Sequence, residues 1–298
     1  MRVCGPAEDG TYGGPPPYGD YDTTPFARPG HWEWVDDGPY GPAQNGNGHL
    51  NGYRPRRRRR FRFLRRLMTL VIGFALLGAL ALGGLLLVTP SAGTAEALAR
   101  AIDQSHHAPF PGPPVAPRFA AALTATEDHR FYSEPGIDPF GVARLVYGTV
   151  TRQPDQGGAT LYQQLAKMLY TSGAGGLSMQ AVEVGVGIKL YLTYSRQQIL
   201  RMYQDVAYFG HGYYGLAQAA CGYFAVQPAQ LSWPQAAMLA GLVQAPSADD
   251  PLLHYANARA RESHVLGRLT AVGTLTPAQA SAAWQQSLNL VQAGGRCA

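Results

Sequence analysis

Charge is scarce in this chain: Asp, Glu, Lys and Arg make up 14% of 298 residues, against a hydrophobic share of 46%. That supplies core material for one or two domains and argues against a freely soluble protein. Cysteine is equally sparse, with three in all, and no Cys/His spacing resembles a zinc site. Cys221 and Cys297 could pair only if their Cα atoms came within disulfide reach; we read Cys221 as a buried helix residue and Cys297 as a terminal thiol. There is no internal repeat and no GxxxxGK[ST], which excludes a nucleotide P-loop. GHGYYG at 210–215 matches G-x-G-x-x-G, but no Asp or Glu occurs from Val206 to Ala248 to hold a ribose. A dinucleotide site is therefore excluded, and the glycines are expected to let two segments pack closely.

Positive charge is present but concentrated. The formal net charge is +5, and nine of the 24 Lys and Arg residues are arginines between Arg54 and Arg66. Directly after them, Leu67 to Val88 runs 22 residues without a charge, about 33 Å as a helix and enough to cross a bilayer core of about 30 Å. A cleaved signal peptide fits less well, because the apolar run exceeds the usual h-region and a long segment precedes it. The arginines then follow from the retention of positive charge on the cytoplasmic side and its attraction to anionic lipid, and no nucleic-acid partner is expected. The expected order is a disordered cytoplasmic tail at 1–53, an Arg-rich juxtamembrane segment at 54–66, a single transmembrane helix at 67–88, and an extracytoplasmic domain at 91–290. The tail is rich in Gly, Pro, Tyr, Asp and Asn without apolar periodicity, too little to offset the entropy of ordering.

Beyond position 91 the signals are helical. Ser195 with Gln198, Ser232 with Gln235, and Thr276 with Gln279 each have the spacing of a capping box, the last with Pro277 at the favoured first position. Ile199, Met202 or Tyr203, and Val206 recur at helical spacing, as do Ala236, Leu239 and Leu242. The Pro-rich stretch at 106–119 reads as either a linker or a strap across the domain surface.

Candidate chemistry centres on three places. Glu183 is the only ionisable side chain from Ala174 to Ile188, and a carboxylate on so apolar a helix either finds partners or has a raised pKa. Glu127-Asp128 follow the apolar stretch Phe119 to Leu123, late on a helix, where negative charge does not complement the helix dipole. Two carboxylates serving one reaction need different environments, and Glu127 and Glu183 would fill those roles if the fold joins them. Gly157-Gly158 would aim N–H groups at an anion, with Thr160, Gln163, Gln164 and Lys167 adding donors from the next helix. The alternative is a glycine turn before an amphipathic helix.

The order of these motifs resembles the family 51 peptidoglycan glycosyltransferases in their monofunctional form, over about residues 115 to 272. Glu127, Asp128, Phe131, Gly136 and Asp138 match the family's E-D-x-x-F-x-x-H-x-G-x-D. Gly157, Gly158, Thr160, Gln163, Gln164, Leu165 and Lys167 match G-G-S-T-I-T-Q-Q-L-x-K-N. Glu183 leads toward Tyr194-Ser195-Arg196 as the third motif's Glu leads to Y-S-K; Tyr208-Phe209-Gly210 onward resembles the fourth, and Ala236 through Ser247 with Pro251 the fifth. The resemblance implies a mainly α, lysozyme-like transglycosylase domain with an N-terminal transmembrane helix, lying against the outer leaflet. Its activity would be polymerisation of lipid II into glycan strands with release of undecaprenyl pyrophosphate. In that role Glu127 is the general base and Glu183 the second catalytic carboxylate. Asp128, Thr160, Gln163, Gln164 and Lys167 bind substrate, and Glu183 is the candidate ligand of a divalent cation, Mg2+ or Mn2+. Partners would be lipid II, the growing strand, the membrane and a transpeptidase or other wall-synthesis protein. The chain ends about 47 residues after Pro251, so no transpeptidase domain is expected.

The chain departs from the family's pattern at Glu134, Ala159 and Met168, at Tyr191 and Thr193, and at Gln204-Asp205. Met179 and Gln180 stand where the family has Arg-Lys before the third-motif Glu, which removes charge-assisted contacts to a diphosphate; Lys189, further along the same helix, is the candidate replacement. The alternative is a catalytically degenerate membrane-anchored protein that binds lipid II or glycan beside other wall enzymes. A lytic enzyme would not require the block from Gly157 to Lys167.

Overall fold

The computed structural model describes residues 57–133 and 159–291, and among them the chain is helical with one isolated bridge, Tyr208 to Tyr214. The tail to position 53, Glu134, Gly136, Asp138, Gly157, Gly158 and Cys297 lie outside the described residues. Helix α1 (Arg57–Val88) carries the arginines from Arg57 onward and the apolar run as one continuous element. Its large side chains stand exposed from Phe61 to Leu80, and by length and composition it can cross a membrane.

After α1 come α2 (Ala95–Ser105), α3 (Pro117–Glu127) and the short α4 (Leu161–Ala166), which runs into a π turn at Lys167–Thr171. Then follow α5 (Leu177–Thr193), α6 (Arg196–Val206), α7 (Gly215–Phe224), α8 (Trp233–Leu242), α9 (Tyr255–Ala271) and α10 (Pro277–Gln285). Helix α8 is the core: every residue from Pro234 to Leu242 is buried, and α3, α7, α9 and α10 pack around it. The opposite wall is built from α4 against α5, with the end of α1 on α5 and α6 between the walls. Gly187 makes the α4–α5 approach possible, since a Cβ there would lie 3.3 Å from Gln163 N.

The spacing-based helix starts are correct. Ser195 with Gln198 and Thr276 with Gln279 form complete capping boxes. At Ser232 the structure shows the return half, Ser232 N–H donating to Gln235 Oε1 at 2.9 Å, while the hydroxyl is without a partner. Of the G-x-G-x-x-G glycines, Gly210 and Gly215 serve close packing, as expected, whereas Gly212 faces open space with φ 78°. Gly215 has φ 78°, and a Cβ there would lie 2.6 Å from Asp205 O.

Two expectations are corrected. Cys221 is disulfide-bonded, its partner lying outside the described residues, so it is not an inert helix thiol. Lys189 does not face the diphosphate region: its Nζ donates to Thr89 O at 2.6 Å and Pro90 O at 2.9 Å, fixing the exit of α1. A lysine on an apolar helix beside unsatisfied helix-end carbonyls finds its acceptors there rather than in a cavity.

The Pro-rich stretch is a strap, not a linker. Asp205 Oδ2 accepts from Gly112 N at 3.1 Å, Gln204 Oε1 accepts from Ala116 N at 3.3 Å, and Arg201 Nη2 donates to Gly112 O at 2.6 Å. Beneath it Asp103 is fully buried, and neither carboxylate oxygen has a hydrogen-bond partner. Burial, and then the charge of Asp205, push the Asp103 carboxyl up to about 7; burial alone pushes Asp205 up to about 6 against the pull of Gly112 N–H and Arg201. Both values are raised, so these groups add stability below their unfolded pKa near 3.8 that is lost as pH rises through about 6 and about 7. Asp103→Asn is expected to stabilise the detergent-solubilised chain by about 2 kcal/mol at pH 8, and by little at pH 4. Thermal unfolding at the two values checks it; an equal shift at both would contradict the buried ionisation.

Candidate active site

Glu127 is the last residue of α3, a helix started by Pro117 at its first turn. One of the carbonyls near its C-terminus, Ala125 O, accepts from Arg268 Nε at 3.2 Å, tying α3 to α9. The next residue, Asp128, is 7% exposed and turns away, its Oδ2 accepting from Leu161 N at 3.0 Å. Asp128 therefore holds the first turn of α4 against the end of α3. Thr160 and Gln163 form a capping box at that same turn, and Thr160 is 2% exposed. Neither Asp128 nor Thr160 is among the described residues that line the cavity beside Glu127, and both are buried at the α3–α4 junction.

One cavity of about 790 Å3 is lined by Glu127, Gln163, Gln164, Lys167 and Glu183 together. Two acids on different helices, α3 and α5, thus share one cleft. The volume lies within the range of pre-formed ligand sites.

Around Glu127 the hydrogen bonds form a directed chain. Tyr203 is fully buried, and desolvation first, then the charge of Glu127, raise its pKa far above the ordinary range, so the O–H stays protonated. It donates to Gln164 Oε1 at 2.8 Å. With its oxygen engaged, Gln164 presents Nε2, which donates to Glu127 Oε2 at 3.0 Å. Burial raises the Glu127 pKa above the ordinary 4.5 and is the largest influence; Gln164, Arg261 and His264 oppose it, and Asp128 adds to it. A carboxylate so placed keeps an appreciable proton affinity while one oxygen is held in position, as a general base requires.

Arg261 and His264 escaped the sequence reading. Arg261 Nε donates to Asp249 Oδ2 at 3.1 Å and its Nη2 donates to Gln244 Oε1, and Gln244 lines the cavity. The signal was available as a basic position at helical spacing on α9, but nothing local ties it to Glu127, which lies far earlier in the chain.

Glu183 occupies the other side. Its Oε1 accepts from Thr171 Oγ1 at 3.0 Å, so the π turn orients it. Lys167, exposed at the start of that turn, is the one Lys or Arg among the described lining residues; Ala159, Met168, Ser172, Gly173, Gln180 and Val184 are its neutral neighbours. Tyr191 packs edge-on against Tyr162 with centroids 5.7 Å apart, so it fills core. Among the described residues no group of three His, Cys, Asp or Glu could hold a metal ion. A divalent cation here would have Glu183 as its protein ligand and take the rest from substrate oxygens and water, as Mg2+ commonly does.

The comparisons fit this arrangement. The family model for "Transglycosylase" matches residues 95–270. A provisionally named transglycosylase of Cupriavidus necator is 32% identical over 228 residues, 76% of this chain and 96% of that protein. Penicillin-binding protein 1A of Neisseria flavescens is 37% identical over 169 residues, 56% of this chain and 21% of that protein. Penicillin-binding protein 1F of Bacillus subtilis is 35% identical over 170 residues, 57% of this chain and 24% of that protein. The chain thus spans about a quarter or less of the two penicillin-binding proteins. The crystal structure of penicillin-binding protein 1A from Haemophilus influenzae overlaps 35% of this chain and 15% of that one, with 28% identity and a TM-score of 0.32, too small an overlap to argue from.

Proposed function

The chain belongs to the transglycosylase family, and from that premise we propose that it polymerises lipid II into glycan strands with release of undecaprenyl pyrophosphate. The observation that carries the reading is one cavity lined by a half-buried Glu127, whose pKa burial raises, together with Lys167 and Glu183. Ionised Glu127 accepts the proton of the acceptor sugar's 4-hydroxyl. That oxygen attacks the donor's anomeric carbon as the bond to the diphosphate breaks, with inversion. Gln164 keeps the carboxylate oriented, and Lys167 meets the charge that develops on the leaving group. Gln163 adds a polar group to the same wall. Bound at Glu183, Mg2+ or Mn2+ would neutralise further diphosphate charge; the other steps use the protein's own side chains.

The same reading puts α1 in the membrane with the arginines inside and the catalytic domain outside, where a lipid-linked substrate is presented. A transpeptidase or other wall-synthesis protein is the natural partner. A second reading, a degenerate lipid II or glycan binder, draws support from the neutral residues around Lys167. Detergent-solubilised full chain with labelled lipid II and Mg2+ separates them: polymer is expected. Binding without polymer, where a penicillin-binding protein 1A makes polymer, would favour the second reading.

A further inference from the structure

Helix α3 ends on Glu127, is capped by Asp128, and carries no basic residue in its own last turn. The carbonyls at a helix C-terminus already concentrate partial negative charge, so two acids there are unfavourable unless cations come from elsewhere. They come from α9. Arg261, His264 and Arg268 recur at i, i+3 and i+7, which sets them in one strip along that helix, beside the residues it buries, Ala258, Glu262, Val265, Leu266 and Leu269. Helix α9 packs against both α3 and α8, and contacts at each end of the strip fix its register. At one end Arg268 Nε donates to Ala125 O at 3.2 Å, in the last turn of α3. At the other, Arg261 Nε donates to Asp249 Oδ2 at 3.1 Å and its Nη2 to Gln244 Oε1, and Gln244 lines the cavity with Glu127. Gly241 lets α8 and α9 close at this level, since a Cβ there would lie 2.9 Å from Arg261 Cβ.

The strip acts on Glu127 in the direction a general base needs. Burial, the largest influence, raises the Glu127 pKa, and Gln164, Arg261 and His264 oppose it in that order. The other groups that face Glu127 are few. Asp128 on its own segment adds to the raised pKa, Tyr203 of α6 holds its proton, and Lys167, Glu183 and His106 line the same cavity. We infer that Arg261 and His264 of α9 are positioning residues, which keep the half-buried Glu127 carboxylate ionised at the end of α3 and so ready to take a proton. The inference rests on the polymerase reading for the use to which that carboxylate is put, and it brings α9 into the site. It also divides the positive charge: α9 serves the base, which leaves Lys167 to the diphosphate.

The test reads the Glu127 carboxyl itself. Carboxyl infrared bands are followed across pH in detergent-solubilised full chain, each variant compared with the same variant carrying Glu127→Gln, so that the difference isolates position 127. At the pH where half of wild-type Glu127 is ionised, Arg261→Gln is expected to lower the ionised fraction about threefold, and Arg261→Lys to restore most of it. His264→Gln, at an exposed position, lowers it less and guards against a folding defect in the Arg261 variants. In the pH profile of polymerisation the acidic limb moves to higher pH in the same order, since a lost cation makes the base harder to ionise. A merely structural role would lower the rate at every pH and leave the limb in place. An unmoved carboxyl in both Arg261→Gln and His264→Gln, or an equal effect from Arg261→Lys and Arg261→Gln, would overturn the inference. A carboxyl that moves as expected in a chain that makes no polymer from lipid II would sink the polymerase reading and leave the positioning role standing. Polymer made by wild type, with the carboxyl unmoved in the variants, would do the reverse.

Discussion

Glu127→Gln is expected to lower the rate of glycan polymerisation on the order of 10^3-fold while lipid II binding stays within about twofold, since a positioned general base contributes roughly 10^2 to 10^4. The substitution is nearly isosteric. Gln164 can still donate to the new amide oxygen, and Tyr203 still donates to Gln164, so the chain of hydrogen bonds that holds position 127 survives. What is lost is the ability to take a proton, and this makes the variant a test of chemistry rather than of fold. Gel resolution of labelled polymer, with binding measured on the same preparation, checks it. A variant that keeps a tenth or more of the wild-type rate would remove Glu127 from the reaction.

Lys167→Ala is expected to cost about 10^2-fold or more in kcat/KM, most of it in kcat. Charge develops on the diphosphate as the anomeric bond breaks, and a fixed cation in a partly desolvated cleft is worth most at that moment. Lys167 is the one Lys or Arg on the described lining, so a large effect is expected. Lys167→Arg should recover part of the loss, because the charge returns on a different geometry. Steady-state kinetics on labelled lipid II read both effects. A change confined to KM would show that Lys167 binds substrate without acting on the leaving group.

The fold was legible wherever structure depends on near neighbours. Ser195, Ser232 and Thr276 announce helix starts because a capping box closes within three residues, and Glu183 stands out because the stretch from Ala174 to Ile188 is otherwise uncharged. The first turn of α4 carries a second role that spacing also allows: Thr160 and Gln163, read as donors for an anion, form the capping box there, Gln163 lines the cavity, and Asp128 braces the turn from the end of α3. Lys167, one turn further on, lines the same cavity.

What could not be read were contacts that close over long separations. Lys189 looked free to serve the cavity because its acceptors, Thr89 O and Pro90 O, lie near the membrane helix. The charge of Arg261 on α9 lowers the Glu127 pKa from a distant part of the chain, and His106 meets Tyr214 from a stretch that read as linker or strap. Gln204 and Asp205, which depart from the family pattern, are explained by the strap they hold at Gly112 and Ala116. A departure in a motif can therefore mark a structural contact particular to this chain rather than lost chemistry.

The pH dependence of polymerisation tests the central claim most directly. Glu127 must be ionised to accept a proton, and burial raises its pKa above the ordinary 4.5. Turnover should therefore fall as pH drops, with an acidic limb lying above that value in wild type, and that limb should be absent from the residual rate of Glu127→Gln. A wild-type rate that stays flat down through pH 4.5, or an identical acidic limb in the Gln variant, would contradict the assignment of the buried carboxylate as base.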